Sequence, residues 1–192
     1  MNVRPAGDRA ALIELSDNDT ARAVARVLAG RAGIVDVVPG HRTVLVTWEG
    51  ERPPLDDVAP APVGATGRSA ELAVTYDGVD LDDVAGLAGL SREEVVARHT
   101  AASYVVAFLG FVPGFAYLLG GDERLRVPRL DTPRERVPAG SVALAGRYSG
   151  VYPRATPGGW RLLGRTDALL FDADREPPAL LAPGDRVRFV AV

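Results

Sequence analysis

The run "SYVVAFLGFVPGFAYLLGG", Ser103 to Gly121, joins two different kinds of sequence. Its first half is rich in the β-branched and aromatic residues that favour strands. Its second half, from Phe111 onward, carries three aromatic residues, a proline and three glycines, which rules out a regular helix. That half is also too apolar for an ordinary exposed loop. The run therefore predicts a strand followed by a loop that lines a pocket or a subunit interface, where its apolar surface is buried.

Short β-prone segments separated by proline and glycine follow this loop to the end of the chain. They cover residues 141–146, 149–153, 159–165, 168–171 and 185–192. Frequent turns between short strands are typical of a closed or sandwich-like β structure rather than of a parallel sheet.

A strand over residues 70–76 and two short helices precede the loop. Asp80 is placed to cap the first helix. Ser91 and Glu94 form a capping box for the second, which we expect to end near His99.

The first fifty residues predict a small α+β sandwich. A strand over residues 9–15 leads into a helix that ends near Ala29, with Ser16 and Asp19 as its capping box. A hairpin then turns at Pro39–Gly40.

The segment from Pro53 to Gly67 contains four prolines and no hydrophobic periodicity. Such composition is typical of a linker between domains. We therefore expect a small α/β domain over residues 1–62 and a second, β-rich domain over residues 68–192.

The composition excludes several kinds of chemistry. The chain has no cysteine, and all 22 basic residues are arginine, so thiolate ligands, Schiff bases and a biotinylated lysine are excluded. Its two histidines are far apart, and we expect no metal site. A net charge of −3 gives no reason to expect a nucleic-acid partner. No apolar run approaches the roughly 18–20 residues of a membrane span, so the cytoplasm is the default compartment.

Aromatic side chains around the loop are candidates for a ligand pocket, and for any single one a place in the core is the alternative. They are Phe111, Phe115, Tyr117, Tyr152 and Trp160. His99 fits equally a helix-end residue favoured by the dipole and an acid–base group that faces the pocket.

Five arginines lie between Arg124 and Arg136. They predict either a solvated surface loop or an anion site in which Arg134 or Arg136 binds a carboxylate or phosphate.

Three motifs then carry a family resemblance: "GFVPGFAYL" (110–118), "PRLDTPRERVPAGSV" (128–142) and "YPRATPGGWRLLGRT" (152–166). In this order they resemble the family of the 5-oxoprolinase B subunit, which is also described as KipI-like or as allophanate hydrolase subunit 1. The second domain is similar as well to the carboxyltransferase domain of urea carboxylase.

The resemblance implies an α+β fold, with a small ferredoxin-like N-terminal domain followed by a cyclophilin-like β-barrel domain. It implies ATP-dependent opening of 5-oxoproline to glutamate, with the C subunit of 5-oxoprolinase as the main partner and its A subunit as the other. ATP then belongs to the complex and need not bind this chain, which carries neither a metal site nor biotin. Two alternatives stay open: regulation of a sensor histidine kinase, as in KipI-like members, and a carboxyltransferase role in allophanate or urea breakdown.

The resemblance also implies site residues, of which His99 and Arg134 are the catalytic candidates. Where relatives commonly read "GGQTG", this chain reads "GRYSG", which places Tyr148 at the position of a glutamine. The implied substrate-binding residues are Phe111, Gly114, Phe115, Tyr117, Ser141, Tyr148, Tyr152, Trp160 and Arg165.

Overall fold

A computed structural model describes residues 1–60 and 67–192. The chain divides into two compact units, Met1–Thr66 and Gly67–Val192. Part of the predicted linker, residues 61–66, lies outside the described residues, and the predicted domain boundaries stay a prediction. Within the described residues, no helix is long and apolar enough to cross a membrane.

The first unit is a four-stranded antiparallel sheet with one helix in its described part. The strands lie in the order β1-β2-β4-β3. The elements are β1 (Asn2–Pro5), β2 (Ala10–Glu14), α1 (Asn18–Ala29), β3 (Ile34–Pro39) and β4 (Thr43–Trp48).

One apolar stripe of α1 packs on this sheet, with Ala21, Val24 and Leu28 fully buried in the same cluster as strand residues such as Ile13 and Val46. The helix and the hairpin that the hydrophobic pattern of the first fifty residues predicted are thereby confirmed.

Two details of the first unit differ from the predictions. The helix is capped by Asp17, whose carboxylate accepts the Thr20 N–H at 2.7 Å, so the predicted box of Ser16 and Asp19 is wrong. The edge strand β1 was not predicted, because four mostly exposed residues that end in proline carry no hydrophobic alternation. The ferredoxin-like assignment stays a prediction.

The second unit is mostly β-structure. Seven of its strands form one sheet, ordered β12-β9-β10-β7-β6-β13-β5, and β8 pairs with β11 in a small separate ladder. The strands are β5 (Ser69–Val74), β6 (Tyr104–Leu109), β7 (Ala116–Leu119), β8 (Arg134–Val137), β9 (Ser141–Ala145), β10 (Tyr148–Val151), β11 (Thr156–Gly158), β12 (Arg161–Arg165) and β13 (Arg186–Ala191).

Two helices stand between β5 and β6: α2 (Leu81–Ala88) and α3 (Arg92–Ala101). The predicted capping box of Ser91 and Glu94 is confirmed, with both of its hydrogen bonds formed. Asp80 occupies the N-cap position of α2, but its side chain makes no capping bond. The predicted strand at 168–171 is wrong: only an isolated bridge joins Phe171 to Ala179.

The two ends of the seven-stranded sheet meet between the residue that follows β5 and the last residue of β12. Thr75 and Arg165 exchange two backbone hydrogen bonds, both 2.9 Å long, which link the edge strands. Buried side chains from β5, β6, β7, β9, β10 and β13 fill the inside of the curved sheet. The sheet is thus a nearly closed barrel that fits a cyclophilin-like fold.

A glycine makes this closure possible. A Cβ at Gly164 would collide with the backbone carbonyl of Thr75. In helix α2, by contrast, a Cβ at Gly86 would meet nothing within 4 Å. The two positions form a matched pair for testing the closure.

We expect Gly164→Ala to lower the free energy of unfolding by about 3 kcal/mol, because the methyl group forces apart the strands that close the barrel. Gly86→Ala should raise it by up to about 1 kcal/mol, since alanine is the better helix former. Urea unfolding followed by circular dichroism measures both. Equal urea midpoints for the two variants would contradict the closure.

Candidate functional site

Strand β10 separates two groups of candidate residues. Successive residues of a strand alternate between its two faces. Ser149 and Val151 therefore lie on one face, and Tyr148 and Gly150 lie on the other. Val151 belongs to the cluster inside the barrel. A Cβ at Gly150 would lie 3.1 Å from the rings of Phe115 and Trp160. The inner face is therefore core, and the outer face carries aromatic rings.

The outer rings form a cluster centred on Phe115, which we call the aromatic cluster. Phe115 is buried and meets Tyr117, Tyr152 and Trp160 edge-to-face, with centroids 5.1, 5.3 and 5.2 Å away. Such contacts add to the burial of the rings and fix their orientation. The members of the cluster are Phe108, Phe111, Phe115, Tyr117, Tyr148, Tyr152 and Trp160.

A cleft of about 300 Å³ opens in this cluster, and we call it the aromatic cleft. It lies where the three sequence motifs meet, because each contributes one wall. Its lining consists of Phe111, Phe115, Tyr117, Arg129, Pro133, Tyr152, Pro157, Gly158, Gly159 and Trp160.

The loop at one wall has an unusual backbone. Phe111 has a φ of 67°, the only positive φ of a non-glycine residue within residues 1–60 and 67–192, and the residue is 59% exposed. A bulky residue in this conformation costs about 1–3 kcal/mol and is found mostly at functional sites. Gly114 (φ 82°) completes the turn, where a Cβ would lie 2.6 Å from the Cβ of Phe171. The loop thus holds an aromatic ring at the open rim of the cleft.

Arg129 is the cation of the cleft, and the sequence did not single it out. Its Nη2 and Nε lie 3.2 and 3.4 Å from where a Cβ of Gly159 would be, so the guanidinium lies against that glycine. Among the described residues, no carboxylate pairs with it. Three other arginines of the same segment are engaged: Arg124 with the carbonyls of Ala88 and Gly89, Arg126 with Glu123, and Arg134 with Asp80.

Two tyrosine hydroxyls share the cleft with Arg129. Burial raises the pKa of Tyr117 and of Tyr152. The positive charge of Arg129 acts in the opposite direction on both, and for Tyr152 a hydrogen bond from the Trp160 backbone opposes burial more strongly than Arg129 does. Both phenols are therefore protonated at neutral pH and can donate or accept hydrogen bonds. The cleft combines flat apolar walls, two phenols and one guanidinium.

His99 lies on the other side of the sheet. It is fully buried and stacks on Phe189 with ring centroids 4.4 Å apart. Its Nδ1 lies 2.7 Å from the Tyr76 hydroxyl, and its Nε2 lies 3.0 Å from Ser149 Oγ. Because Ser149 donates its proton to the Ala143 carbonyl, we assign the ring proton to Nε2.

This placement gives His99 a structural role. Burial lowers its pKa to about 3, so the ring is neutral at physiological pH. The structure does not bring it to the aromatic cleft, and its predicted catalytic role stays a prediction.

Arg134 also has a structural partner. Its Nη2 lies 2.6 Å from Asp80 Oδ1, and the other oxygen of this buried carboxylate accepts the Leu162 N–H at 2.7 Å. The pair ties the start of α2 to β12 and β8. Arg134 is outside the lining of the cleft, and its catalytic role likewise stays a prediction.

Of the remaining predicted site residues, some lie at the aromatic cluster and others lie away from it. Gly114 supports the cleft loop, and Tyr148 lies beside Tyr117 in the aromatic cluster. Ser141 is buried at the start of β9, while Arg165 pairs with Asp77 at 2.8 Å and lines a different cleft. In the described part of the chain, no group of three or more histidine or carboxylate side chains could hold a metal ion.

Comparison with known proteins identifies the family of the chain. The family model described as "Carboxyltransferase domain, subdomain C and D" matches residues 1–181. The chain belongs to this family. The resemblance predicted from the three motifs is thereby confirmed.

Similar curated proteins include two that are each named as the B subunit of 5-oxoprolinase. The protein of Escherichia coli O157:H7 is 40% identical over 202 residues, which cover 96% of this chain and 93% of the relative. The protein of Bacillus subtilis (strain 168) is 48% identical over 128 residues, 65% of this chain and 53% of the relative.

A solved structure shares the fold. The crystal structure of TTHA0988 matches with a TM-score of 0.84 and 38% identity, covering 96% of this chain. The match covers only 40% of the TTHA0988 chain, so this chain spans about two-fifths of that protein.

The buried neutral His99 predicts a pH dependence of stability. Below pH 6.5 an unfolded histidine binds a proton that the folded ring does not bind until about pH 3. The free energy of unfolding therefore decreases as the pH is lowered through this window, by up to about 1.4 kcal/mol per pH unit. We expect the advantage of wild type over His99→Gln, measured by urea unfolding, to shrink between pH 6 and pH 5. An unchanged difference would show that the folded and unfolded states take up the His99 proton over the same pH range.

The Asp80–Arg134 pair predicts a loss of stability in Arg134→Met. The variant leaves a buried carboxylate without its cation, and we expect it to lose about 2 kcal/mol of unfolding free energy. Arg136→Met, at an exposed position of the same strand, is the control and should change little. Adding Asp80→Asn to Arg134→Met should recover part of the loss. If the Arg134→Met and Arg136→Met proteins unfold at the same urea midpoint, the pair does not anchor α2.

Proposed function

We propose that this chain is the B subunit of an ATP-dependent 5-oxoprolinase, which opens 5-oxoproline to glutamate together with the C and A subunits. Curated relatives 40% and 48% identical carry the name of the 5-oxoprolinase B subunit. The observation that carries the proposal is the aromatic cleft, because all three family motifs converge on it.

The cleft suits a small cyclic amide. Its volume of about 300 Å³ is at the lower end of the range for small-molecule sites. Aromatic residues on several sides of the cleft match a small, flat five-membered lactam. The phenol of Tyr117 can hydrogen-bond an amide N–H or C=O, whereas Tyr152 is buried beside the Trp160 backbone and supplies part of the apolar floor.

The reaction requires activation of a stable lactam by phosphorylation and then attack by water. We assign ATP binding and phosphoryl transfer to the C and A subunits. The lining of the cleft offers aromatic rings, phenols and a guanidinium rather than the carboxylates that hold a magnesium-bound nucleotide. This chain then contributes binding and orientation of the lactam and exclusion of water from it.

We also infer that the first unit is a shortened ferredoxin-like domain. Strand β2, helix α1 and strands β3 and β4 follow the order of such a domain, and β1 takes the sheet position beside β2. The unit thus builds a four-stranded antiparallel sheet with one helix in its described part.

The test is 5-oxoproline-dependent ATP hydrolysis by this chain alone and mixed with the C and A subunits. We expect activity only in the mixture that contains all three proteins. Activity in a mixture that omits this chain, or none in the complete mixture, would refute the proposal.

A substitution at the rim of the aromatic cleft tests whether the activity depends on this cleft. Phe111→Ala removes an exposed ring from a strained position, so we expect an unchanged melting temperature and about a tenfold loss of activity, which corresponds to about 1.4 kcal/mol. Leu169→Ala is the matched control, because Leu169 is 57% exposed and lies outside the cleft lining. Equal activities of the two variants would place the site elsewhere.

A further inference from the structure

We propose that Arg129 binds the substrate's carboxylate, which makes the aromatic cleft a site for a small ring that bears one carboxylate. This inference rests on the proposed function for the identity of the ring. The assignment of the anion to Arg129 comes from the geometry and the charges of the cleft and does not depend on that identity.

The first step of the argument is where the guanidinium lies. Arg129 borders the same cleft as Tyr117 and Tyr152, and its charge acts on both phenols. Its position depends on Gly159, since any side chain there would press on Nη2 and Nε. The backbone next to it is fixed as well, because the Leu130 N–H donates to the Gly159 carbonyl at 2.7 Å.

The second step is that this cation remains available. Within the described residues, Arg129 makes no ion pair, whereas Arg126, Arg134, Arg161 and Arg165 each have an acidic partner. Arg129 is also exposed, so a ligand reaches it from solvent. A guanidinium presents a planar fork that matches the two oxygens of a carboxylate.

The third step concerns the class of ligand. One unpaired guanidinium at the rim favours a single negative charge over the several charges of a nucleotide. The rings of Phe115, Tyr152 and Trp160 form the floor and walls, which favour a flat apolar body next to that charge. 5-Oxoproline has this shape, with a carboxylate attached directly to a five-membered lactam.

The test compares Arg129→Gln with Arg136→Gln, an exposed arginine of the same segment that lies outside the cleft lining. Both are assayed in the assembled complex for KM and kcat with 5-oxoproline. Calorimetry on the isolated chain then compares 5-oxoproline with 2-pyrrolidinone, the same lactam without a carboxylate.

We expect Arg129→Gln to raise the KM for 5-oxoproline at least tenfold with kcat little changed, because charge-assisted hydrogen bonds to the anion are lost. In calorimetry the Arg129→Gln protein should bind 5-oxoproline more weakly than wild type does and should bind 2-pyrrolidinone with the wild-type affinity. Arg129→Lys should recover part of the affinity, and Arg136→Gln should behave as wild type.

The inference is overturned if Arg129→Gln keeps the wild-type KM, or if it weakens both lactams equally, which indicates a structural effect. Loss of carboxylate selectivity in a complex that does not turn over 5-oxoproline would uphold the site and refute the proposed function. Turnover that is insensitive to Arg129→Gln would uphold the function and refute the site. Absence of both turnover and binding in wild type would refute both.

Discussion

The alternation of side chains along β10, with a glycine at position 150, is the constraint on which the rest of the second unit depends. It sends Ser149 inward to His99 and leaves room on the outer face for Phe115 and Trp160. A Cβ at Gly150 would also crowd the carbonyl of Ala116 on the neighbouring strand at 3.0 Å. A nearly closed barrel therefore keeps a packed interior and still offers an aromatic surface for binding.

Arginine serves several purposes in a chain that has no lysine. Arg124 satisfies carbonyls at the end of α2, and Arg134 neutralises the buried Asp80. These contacts use the guanidinium as a rigid fork that stabilises helix ends and loop junctions. Arg129 differs from them because it faces aromatic rings and a glycine. Its surroundings therefore suit an incoming anion.

Much of the fold follows from local sequence, and the five aromatic pocket candidates all line the cleft, but the placement of the polar site candidates does not follow from it. Hydrophobic periodicity was enough to predict the helices and most strands, although only one of the three predicted caps is formed as expected. The motifs predicted the family. The face on which His99 lies is set by Ser149, fifty residues away, and no spacing reveals that contact. Arg129 and Arg134 likewise look equivalent in sequence, because only tertiary structure brings Asp80 to one of them.

The central claim is that ligand binds on the outer aromatic face and not around His99. Mapping 5-oxoproline binding on the full chain by ¹H–¹⁵N NMR tests it most directly. The account predicts shifts at the Trp160 indole N–H and at the amides of Gly159 and Arg129, with His99 and Ser149 unchanged. Shifts centred on His99 and Ser149, or no shifts at saturating 5-oxoproline, would contradict it.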